Sequence, residues 1–233
     1  MKIEIKKFSS TASLPDNGLV VIFDLEDFSQ FYSQPDVQDY VPKYLNHVIE
    51  AISIVIYGGR TYWRPKPEVV PALPKPIHWK FLGDGLMIIW KYKDFNAGNL
   101  TSLLNRLWNL KEYFSQVNKI ASEDVPVIDI PARIRFGISA GTIYKLTYNL
   151  TKSEEFIGYS INLASRLQNY CGELGFIASA RVNPPKANLE KNGYKRVIAT
   201  KIKGFPREIV IVDKSEYNNL DAAIRTNLFD ELN

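Results

Sequence analysis

The sequence has one cysteine and lacks any long apolar run or block of like charge. A single cysteine, Cys171, among 233 residues excludes an internal disulfide and is typical of a reducing compartment. The longest strongly apolar run, Ala51 to Tyr57, is far shorter than the roughly 20 residues that span a bilayer. Residues 1–10 alternate charged and apolar side chains, unlike a signal peptide. A net charge of +4 without a Lys/Arg cluster argues against a nucleic-acid arm. We therefore expect a cytoplasmic protein that binds neither a membrane nor a nucleic acid.

The apolar and charged fractions, 45% and 23%, are those of an ordinary globular domain. The continuous β-branched run Leu19 to Leu25 predicts a buried strand, and Pro42 to Tyr57 has the apolar spacing of a helix. Residues 77–90 predict a hairpin, 98–120 a second amphipathic helix and 133–145 a further strand. The order strand, helix, hairpin, helix, strand predicts an α+β fold of the ferredoxin-like βαββαβ type.

The C-terminal third adds elements to this pattern. A third helix is predicted from Ser160 to Tyr170, with Ser160 as its N-cap. Two closing strands are predicted over 195–203 and 208–212, joined by Gly204-Phe205-Pro206. We expect one main domain over 17–213, an N-terminal extension at 1–16 and a C-terminal helix over 214–233.

Residues 60–76 are rich in proline and basic residues, which predicts a stiff, extended insertion with little helix or sheet. Three interpretations fit this composition: a dimer arm, a flap over the substrate, or a long loop. We slightly favour the dimer arm.

The hairpin carries the first candidate site residue. Gly83-Asp84-Gly85 predicts a tight turn, with Lys80 a short way back along the first strand. A carboxylate at a rigid hairpin tip beside a cation suits a metal–phosphate ligand. The alternative is that Asp84 is simply a favourable turn residue.

Two other places carry polar groups in suggestive positions. Asp24 falls near the end of the buried strand, where a carboxylate is costly unless it is paired or bound to a metal. Asn162 and Arg166 are four residues apart, so they project from one face of the third helix. Arginine is a usual partner of phosphate oxygens. The alternatives are a turn role near Asp24, filled by Asp27 or Ser29, and a solvated helix face.

Four segments taken together point to a family. They are residues 23–29, 80–84, 135–141 and 158–166. In this order along the chain they resemble the catalytic domain of class III nucleotide cyclases over roughly residues 17–213.

The resemblance implies roles for individual residues. Asp24 and Asp84 match the metal-binding aspartates and the carbonyl of Leu25 a backbone ligand, which implies two divalent cations, Mg²⁺ or Mn²⁺. Lys80 matches the base-reading lysine, and Tyr159 stands where adenylate cyclases have a base-reading aspartate.

Further roles follow from the same resemblance. Asn162 and Arg166 match the transition-state pair, and Phe28 and Ser29 match substrate-binding positions. The resemblance also implies a head-to-tail homodimer in which each active site is shared between subunits. Lys203 is a candidate for the triphosphate, together with Lys145 and Arg207.

The tyrosine at position 159 bears on the substrate. If Lys80 lacks an acidic partner, the strong acceptor that adenine requires is missing and the bulky phenol favours a smaller base. Uracil O4 accepts from a lysine, whereas the cytosine amino group is itself a donor. This reasoning favours UTP over CTP.

The chain is also similar to the stand-alone pyrimidine cyclases of bacterial Pycsar anti-phage systems. This resemblance implies synthesis of cyclic UMP or cyclic CMP, which a separate effector protein senses. Alternatives are an adenylate cyclase in which the Tyr159 oxygen accepts from the adenine amino group, and a non-catalytic nucleotide-binding module. A polymerase-type palm ranks last, since a longer chain and a basic template track are expected there.

Overall fold

A mostly antiparallel sheet forms the centre of the protein, whose computed structural model describes residues 10–126 and 129–232. The strands are β1 (Ser10–Ala12), β2 (Asp16–Leu25), β3 (Gly59–Arg60), β4 (Val69–Val70), β5 (His78–Phe81), β6 (Leu86–Lys91), β7 (Ile134–Tyr148), β8 (Glu154–Gly158), β9 (Phe176–Ser179), β10 (Tyr194–Ala199), β11 (Glu208–Asp213) and β12 (Phe229–Glu231). The helices are α1 (Phe28–Tyr32), α2 (Val41–Tyr57), α3 (Ala97–Glu112), α4 (Phe114–Asp124), α5 (Tyr159–Gln168), α6 (Lys186–Lys191), α7 (Lys214–Asn219) and α8 (Ala222–Leu228). Short 3₁₀ turns cover Val37–Asp39, Tyr92–Asp94 and Ala180–Val182.

The strands follow the order β5-β6-β2-β7-β9-β11-β10-β12 across the main sheet. Only β7 and β9 pair in parallel within the described residues, while β1 and β8 pair antiparallel with the long strand β7. β2 lies between β6 and β7 and is buried on both faces, which explains its continuous apolar run.

Helices cover both faces of the central strands. On one face Leu19, Val21 and Phe23 pack in the main core with residues of α2, α3 and α4. On the other face Val20 and Ile22 pack with residues of α5. The predicted α+β fold with a ferredoxin-like core is confirmed, since β2, α2, the β5–β6 hairpin, α3 and β7 follow one another as expected.

Two helix predictions need correction. The predicted helix over 98–120 is two helices, α3 and α4, because the backbone of Tyr113 leaves the helical region with φ −103° and ψ 22°. The third helix has Gly158, not Ser160, at its N-cap. Ser160 lies inside α5, and its hydroxyl is 3.3 Å from the carbonyl oxygen of Gly141, to which it donates.

The C-terminal segment combines a confirmed and a wrong prediction. The closing strands form the antiparallel pair β10–β11, as expected. The single terminal helix is instead α7, α8 and β12. Leu220 interrupts it with extended backbone (ψ 143°), and the carboxylate of Asp221 accepts from the backbone N–H of Ala223 at 2.7 Å to cap α8. Of the predicted N-terminal extension, residues 1–9 lie outside the described residues.

The proline-rich segment has little regular structure, as predicted, apart from the short β3–β4 pair. Its Trp63 and Leu73 are buried, and the carbonyl of Pro74 accepts from the indole N–H of Trp90 at 2.7 Å. The segment therefore packs on its own chain, which argues against the favoured interpretation as an extended dimer arm. No helix in the described ranges is long and apolar enough to cross a membrane.

Candidate active site

Asp24, near the C-terminal end of β2, has an arginine directly opposite it on β7. The guanidinium of Arg135 donates from Nε and Nη2 to the two carboxylate oxygens of Asp24, at 3.0 and 2.9 Å. This bidentate hydrogen bonding raises the pKa of Arg135, with desolvation opposing it and the charge of Asp24 adding to it. The partly buried charge of Asp24 is thus compensated within the chain. No role is predicted for Arg135 from its own stretch of sequence, because its position opposite Asp24 follows only from the strand register.

The predicted hairpin turn is confirmed and lies against Asp24. The N–H of Leu82 donates to the carbonyl of Gly85 at 2.9 Å, which closes the turn. A Cβ at Gly85 would lie 1.9 Å from the carbonyl oxygen of Phe23 and 3.1 Å from the Cα of Asp24, so only glycine allows this approach. The structure therefore brings the turn that carries Asp84 against the strand that carries Asp24.

The predicted metal ligands are the carboxylates of Asp24 and Asp84 and the carbonyl of Leu25. Within the described ranges, the Asp84 carboxylate forms no hydrogen bond or ion pair. The described residues contain no group of three or more His, Cys, Asp or Glu side chains that could hold a metal ion. Two carboxylates and a backbone carbonyl, that of Leu25 at the end of β2, are oxygen donors of the kind that Mg²⁺ and Mn²⁺ prefer. The donor chemistry therefore fits the expected cations, with Arg135 as an internal competitor for Asp24.

Asn162 and Arg166 lie on one exposed face of α5, as their spacing predicts. Neither side chain has a hydrogen-bonding or ionic partner in the described part of the chain. α5 rests directly on β7, because a Cβ at Gly137 would lie 2.0 Å from the carbonyl oxygen of Ala164. Asn162 and Arg166 therefore point away from the sheet, on a helix whose backbone packs directly against β7.

Lys80 on β5 has an acidic partner, Glu155 on β8, that local sequence patterns do not reveal. Its Nζ lies 2.6 Å from Oε2 of Glu155, and both side chains are partly exposed. β5 and β8 also meet through the His78 and Phe156 rings, whose centroids are 4.9 Å apart. The premise that Lys80 lacks a carboxylate partner is therefore wrong, and the specificity argument built on it loses its basis.

Tyr159, the first residue of α5, belongs to a different cluster. Its hydroxyl donates to Oε1 of Glu208 at 3.2 Å, and its ring packs against Phe205 at 5.0 Å between centroids. The guanidinium of Arg181 lies 4.9 Å from the ring centroid and also binds the buried carboxylate of Glu208. Burial, followed by the charge of Glu208, raises the pKa of Tyr159. Tyr159 therefore does not take the place of the acid beside Lys80.

The remaining predicted substrate-binding residues are at the surface or partly buried. Phe28 begins α1 and packs on Phe31 and Tyr32, while the neighbouring Ser29 is exposed. Among the three basic candidates, Lys145 pairs with Glu154 and Arg207 with Asp230. Lys203 is exposed and has no partner within the described ranges. The assigned roles of Phe28, Ser29 and Lys203 remain predictions.

The fold is that of class III nucleotide cyclase catalytic domains, as several solved structures show. The adenylyl cyclase CyaB from P. aeruginosa matches with a TM-score of 0.61 and 16% identity, covering 88% of this chain and 95% of that chain. The guanylyl cyclase Cya2 matches with a TM-score of 0.57 and 16% identity over 87% of this chain and 93% of that chain. An adenylate cyclase from Trypanosoma brucei, in its monomeric state, matches with a TM-score of 0.52 and 15% identity over 85% and 90%. No protein-family model and no curated protein matches the sequence.

Proposed function

We propose that this chain is a nucleotide cyclase that converts UTP, or alternatively CTP, to the 3′,5′-cyclic monophosphate and pyrophosphate. The observation that supports the cyclase proposal is the close contact of Gly85 with the backbone of Phe23, which brings the turn that carries Asp84 against the strand that carries Asp24, in a fold shared with cyclase domains. In the proposed reaction the ribose 3′-oxygen attacks the α-phosphorus, the bond to the pyrophosphate oxygen breaks, and the hydroxyl proton is released.

The residues divide this work between them. Asp24, Asp84 and the carbonyl of Leu25 would hold the divalent cations, Mg²⁺ or Mn²⁺. When bound, such cations supply Lewis acidity toward the ribose hydroxyl and the leaving pyrophosphate. Arg166 would stabilise the charge that develops on the α-phosphate, and Asn162 would orient the ribose.

The proposal includes a homodimer with shared sites. Asn162 and Arg166 face outward from α5 and have no partner among the described residues, as expected for groups that complete the site of a second copy. Asp24 and Asp84 of one subunit would then work with Lys80, Asn162 and Arg166 of the other.

The pair Lys80–Glu155 offers one donor and one acceptor side by side. It complements O4 and N3–H of uracil, and equally N3 and the amino group of cytosine. Preference for a pyrimidine is supported by the resemblance to the Pycsar cyclases. The same resemblance alone supports a role in anti-phage signalling through a separate effector protein.

An adenylate cyclase is the second candidate, because the Lys80–Glu155 pair also fits the hydrogen-bonding edge of adenine. Adenine presents an acceptor at N1 and a donor at its amino group, which a lysine and a carboxylate can bind together. The hydrogen-bonding pattern of this pair is therefore compatible with both candidates, and the size of the base decides between them.

A competition assay tests both candidates at once. The purified chain is incubated with equal ATP, GTP, CTP and UTP plus Mn²⁺, and the cyclic products are identified by mass. Cyclic UMP or cyclic CMP supports the first candidate, and cyclic AMP supports the second. If the native chain yields no more product than the Asp84→Ala variant with any nucleotide, the cyclase proposal is wrong.

A further inference from the structure

Two carboxylates and two guanidiniums lie together where β2 ends and β7 begins. Asp24 lies opposite Arg135 in the strand register. One step further, the backbone N–H of Glu26 donates to the carbonyl of Arg133 at 3.0 Å, so these two residues continue the same pairing. Side chains two apart along a strand share a face of the sheet. The four side chains therefore form one group, which we call the β2–β7 charge cluster.

Arg135 directs all three of its guanidinium nitrogens at this cluster. Nε and Nη2 donate to the two carboxylate oxygens of Asp24, at 3.0 and 2.9 Å. Nη1, the third nitrogen, lies 3.6 Å from Oε1 of Glu26. That separation exceeds a charge-assisted hydrogen bond of about 2.9 Å by roughly 0.7 Å, so a small movement of the guanidinium would close it. Glu26 is therefore within reach as a second acceptor for Arg135.

Arg133 holds Glu26 in this position. Its Nη1 lies 3.5 Å from Oε2 of Glu26. Its Nη2 donates to the carbonyls of Gly172 and Glu173, at 2.8 and 3.0 Å, which fixes the guanidinium against the loop after α5. The two oxygens of Glu26 thus face two different guanidiniums. The oxygen nearer Arg135 accepts no hydrogen bond in the described part of the chain and is free to take one.

Arg135 and a divalent cation would compete for the same two atoms, because both carboxylate oxygens of Asp24 accept from this guanidinium. The side chain of Arg135 is only 20% exposed. Loss of its partner without a replacement would therefore be unfavourable. Among the described residues, Glu26 is the one carboxylate besides Asp24 within 4 Å of the Arg135 guanidinium.

We propose that Glu26 is a positioning residue for metal binding, which accepts the Arg135 guanidinium when a divalent cation binds Asp24. Arg135 moves along the face of the sheet from one carboxylate to the next, and Arg133 keeps Glu26 in place to receive it. Arg135 thereby keeps a carboxylate partner in both states. This inference deepens the proposed function and rests on it only through Asp24 as a metal ligand.

Electron paramagnetic resonance of Mn²⁺ titrated into the full chain without nucleotide tests the proposal. Glu26→Gln removes the second acceptor, Arg135→Gln removes the guanidinium, and a double variant combines the two. Glu190→Gln is the matched control, because Glu190 on α6 also lies within ion-pair distance of a cation, 3.7 Å from Lys186. Asp84→Ala identifies the site by removing its other carboxylate. Circular dichroism verifies that each variant is folded.

Glu26→Gln should weaken Mn²⁺ binding at least about tenfold, because the displaced guanidinium finds no new partner. In the Arg135→Gln background the same substitution should change the affinity by less than about threefold, since no guanidinium is displaced there. Arg135→Gln alone should tighten binding at least about threefold, because the competitor for Asp24 is gone. Glu190→Gln should leave the affinity unchanged, and Asp84→Ala should weaken it.

An equal loss from Glu26→Gln in both backgrounds would overturn the proposal, because Glu26 would then act as a metal ligand or through its charge alone. Absence of Mn²⁺ binding that depends on Asp84 would overturn it as well. If Arg135→Gln does not fold, a crystal structure of the Mn²⁺-bound native chain decides. Nη1 of Arg135 must then lie within about 3.2 Å of Oε1 of Glu26, and a guanidinium still bidentate on Asp24 refutes the exchange.

The outcome is separable from that of the cyclase proposal, because these measurements use no nucleotide. A chain that cyclises nothing but shows the coupling between Glu26 and Arg135 refutes only the proposed function. A chain that cyclises nucleotide without this coupling refutes only the role of Glu26.

Discussion

Arg135 and Asp24 face each other across the strand pair β2–β7 and form two N–H···O hydrogen bonds of 3.0 and 2.9 Å. The carboxylate proposed to bind a metal is therefore already neutralised by a cation of its own chain. Arg135 keeps the partly buried charge of Asp24 paired before a metal binds. Binding of a divalent cation would then exchange one positive partner of Asp24 for another.

The first prediction concerns this pair. Arg135→Gln should lower the free energy of unfolding by about 1–3 kcal/mol, because Asp24 loses a charge-assisted partner while remaining mostly buried. Mn²⁺ should recover part of the loss, since a cation that binds the folded state stabilises it. Urea denaturation with and without Mn²⁺ measures both effects. A loss that Mn²⁺ does not change would show that Asp24 is not a metal ligand in the folded chain.

The second prediction concerns the hairpin turn. Asp84→Ala should reduce turnover at least about 100-fold by removing a metal ligand. Because the Asp84 side chain has no partner in the described chain, the unfolding free energy should change by no more than about 0.5 kcal/mol. Cyclisation kinetics and thermal unfolding report on the two effects separately.

The third prediction tests whether sites are shared. Mixing Asp84→Ala chains with Arg166→Ala chains should restore activity, because a heterodimer contains one site with neither substitution. Activity is compared with each variant alone, and mass measurement under native conditions verifies that heterodimers form. A mixture that forms heterodimers but stays inactive would contradict the shared site.

The fourth prediction tests whether Glu155 or Tyr159 works with Lys80 in binding the base. Glu155→Gln should lower kcat/KM for the preferred nucleotide roughly 10- to 100-fold, because the base loses its charged acceptor. Tyr159→Phe is the matched comparison, since it removes only the hydroxyl that donates to Glu208. A large effect of Tyr159→Phe with none from Glu155→Gln would restore the original assignment.

The fifth prediction concerns pH. Burial raises the pKa of the Cys171 thiol to about 11, so the folded chain keeps this proton to a higher pH than the unfolded chain does. Its contribution to stability is fully present below about pH 8 and is lost as pH rises toward 11, at most roughly 3 kcal/mol. Denaturation of native protein and Cys171→Ala between these pH values measures it. Parallel curves for the two proteins would refute the assignment to the thiol.

Much of the fold was predictable because its patterns are local. The apolar run of β2, the helical spacing of α2 and the glycines around Asp84 each lie within one short stretch. The break between α3 and α4 at Tyr113 was not predictable, because the apolar spacing continues across it. The C-terminal strand β12 was missed because its pairing with β10 depends on distant residues.

The candidate site was only partly predictable for the same reason. Asp24, Asp84, Asn162 and Arg166 stand in recognisable local segments. Glu155 lies 75 residues from Lys80, and nothing in either stretch indicates that the two side chains meet. The tyrosine at position 159 suggested that Lys80 has no acidic partner, whereas in the folded chain Lys80 pairs with Glu155 on β8.

The contact of Gly137 with α5 has a consequence for regulation. Because a Cβ there would lie 2.0 Å from the carbonyl oxygen of Ala164, the helix backbone contacts the strand directly, with no side chain between them. A small shift or tilt of α5 would therefore either separate the two backbones or make them clash. On the proposed dimeric mechanism, an activating signal is therefore better transmitted by changing how two rigid copies meet than by deforming either copy.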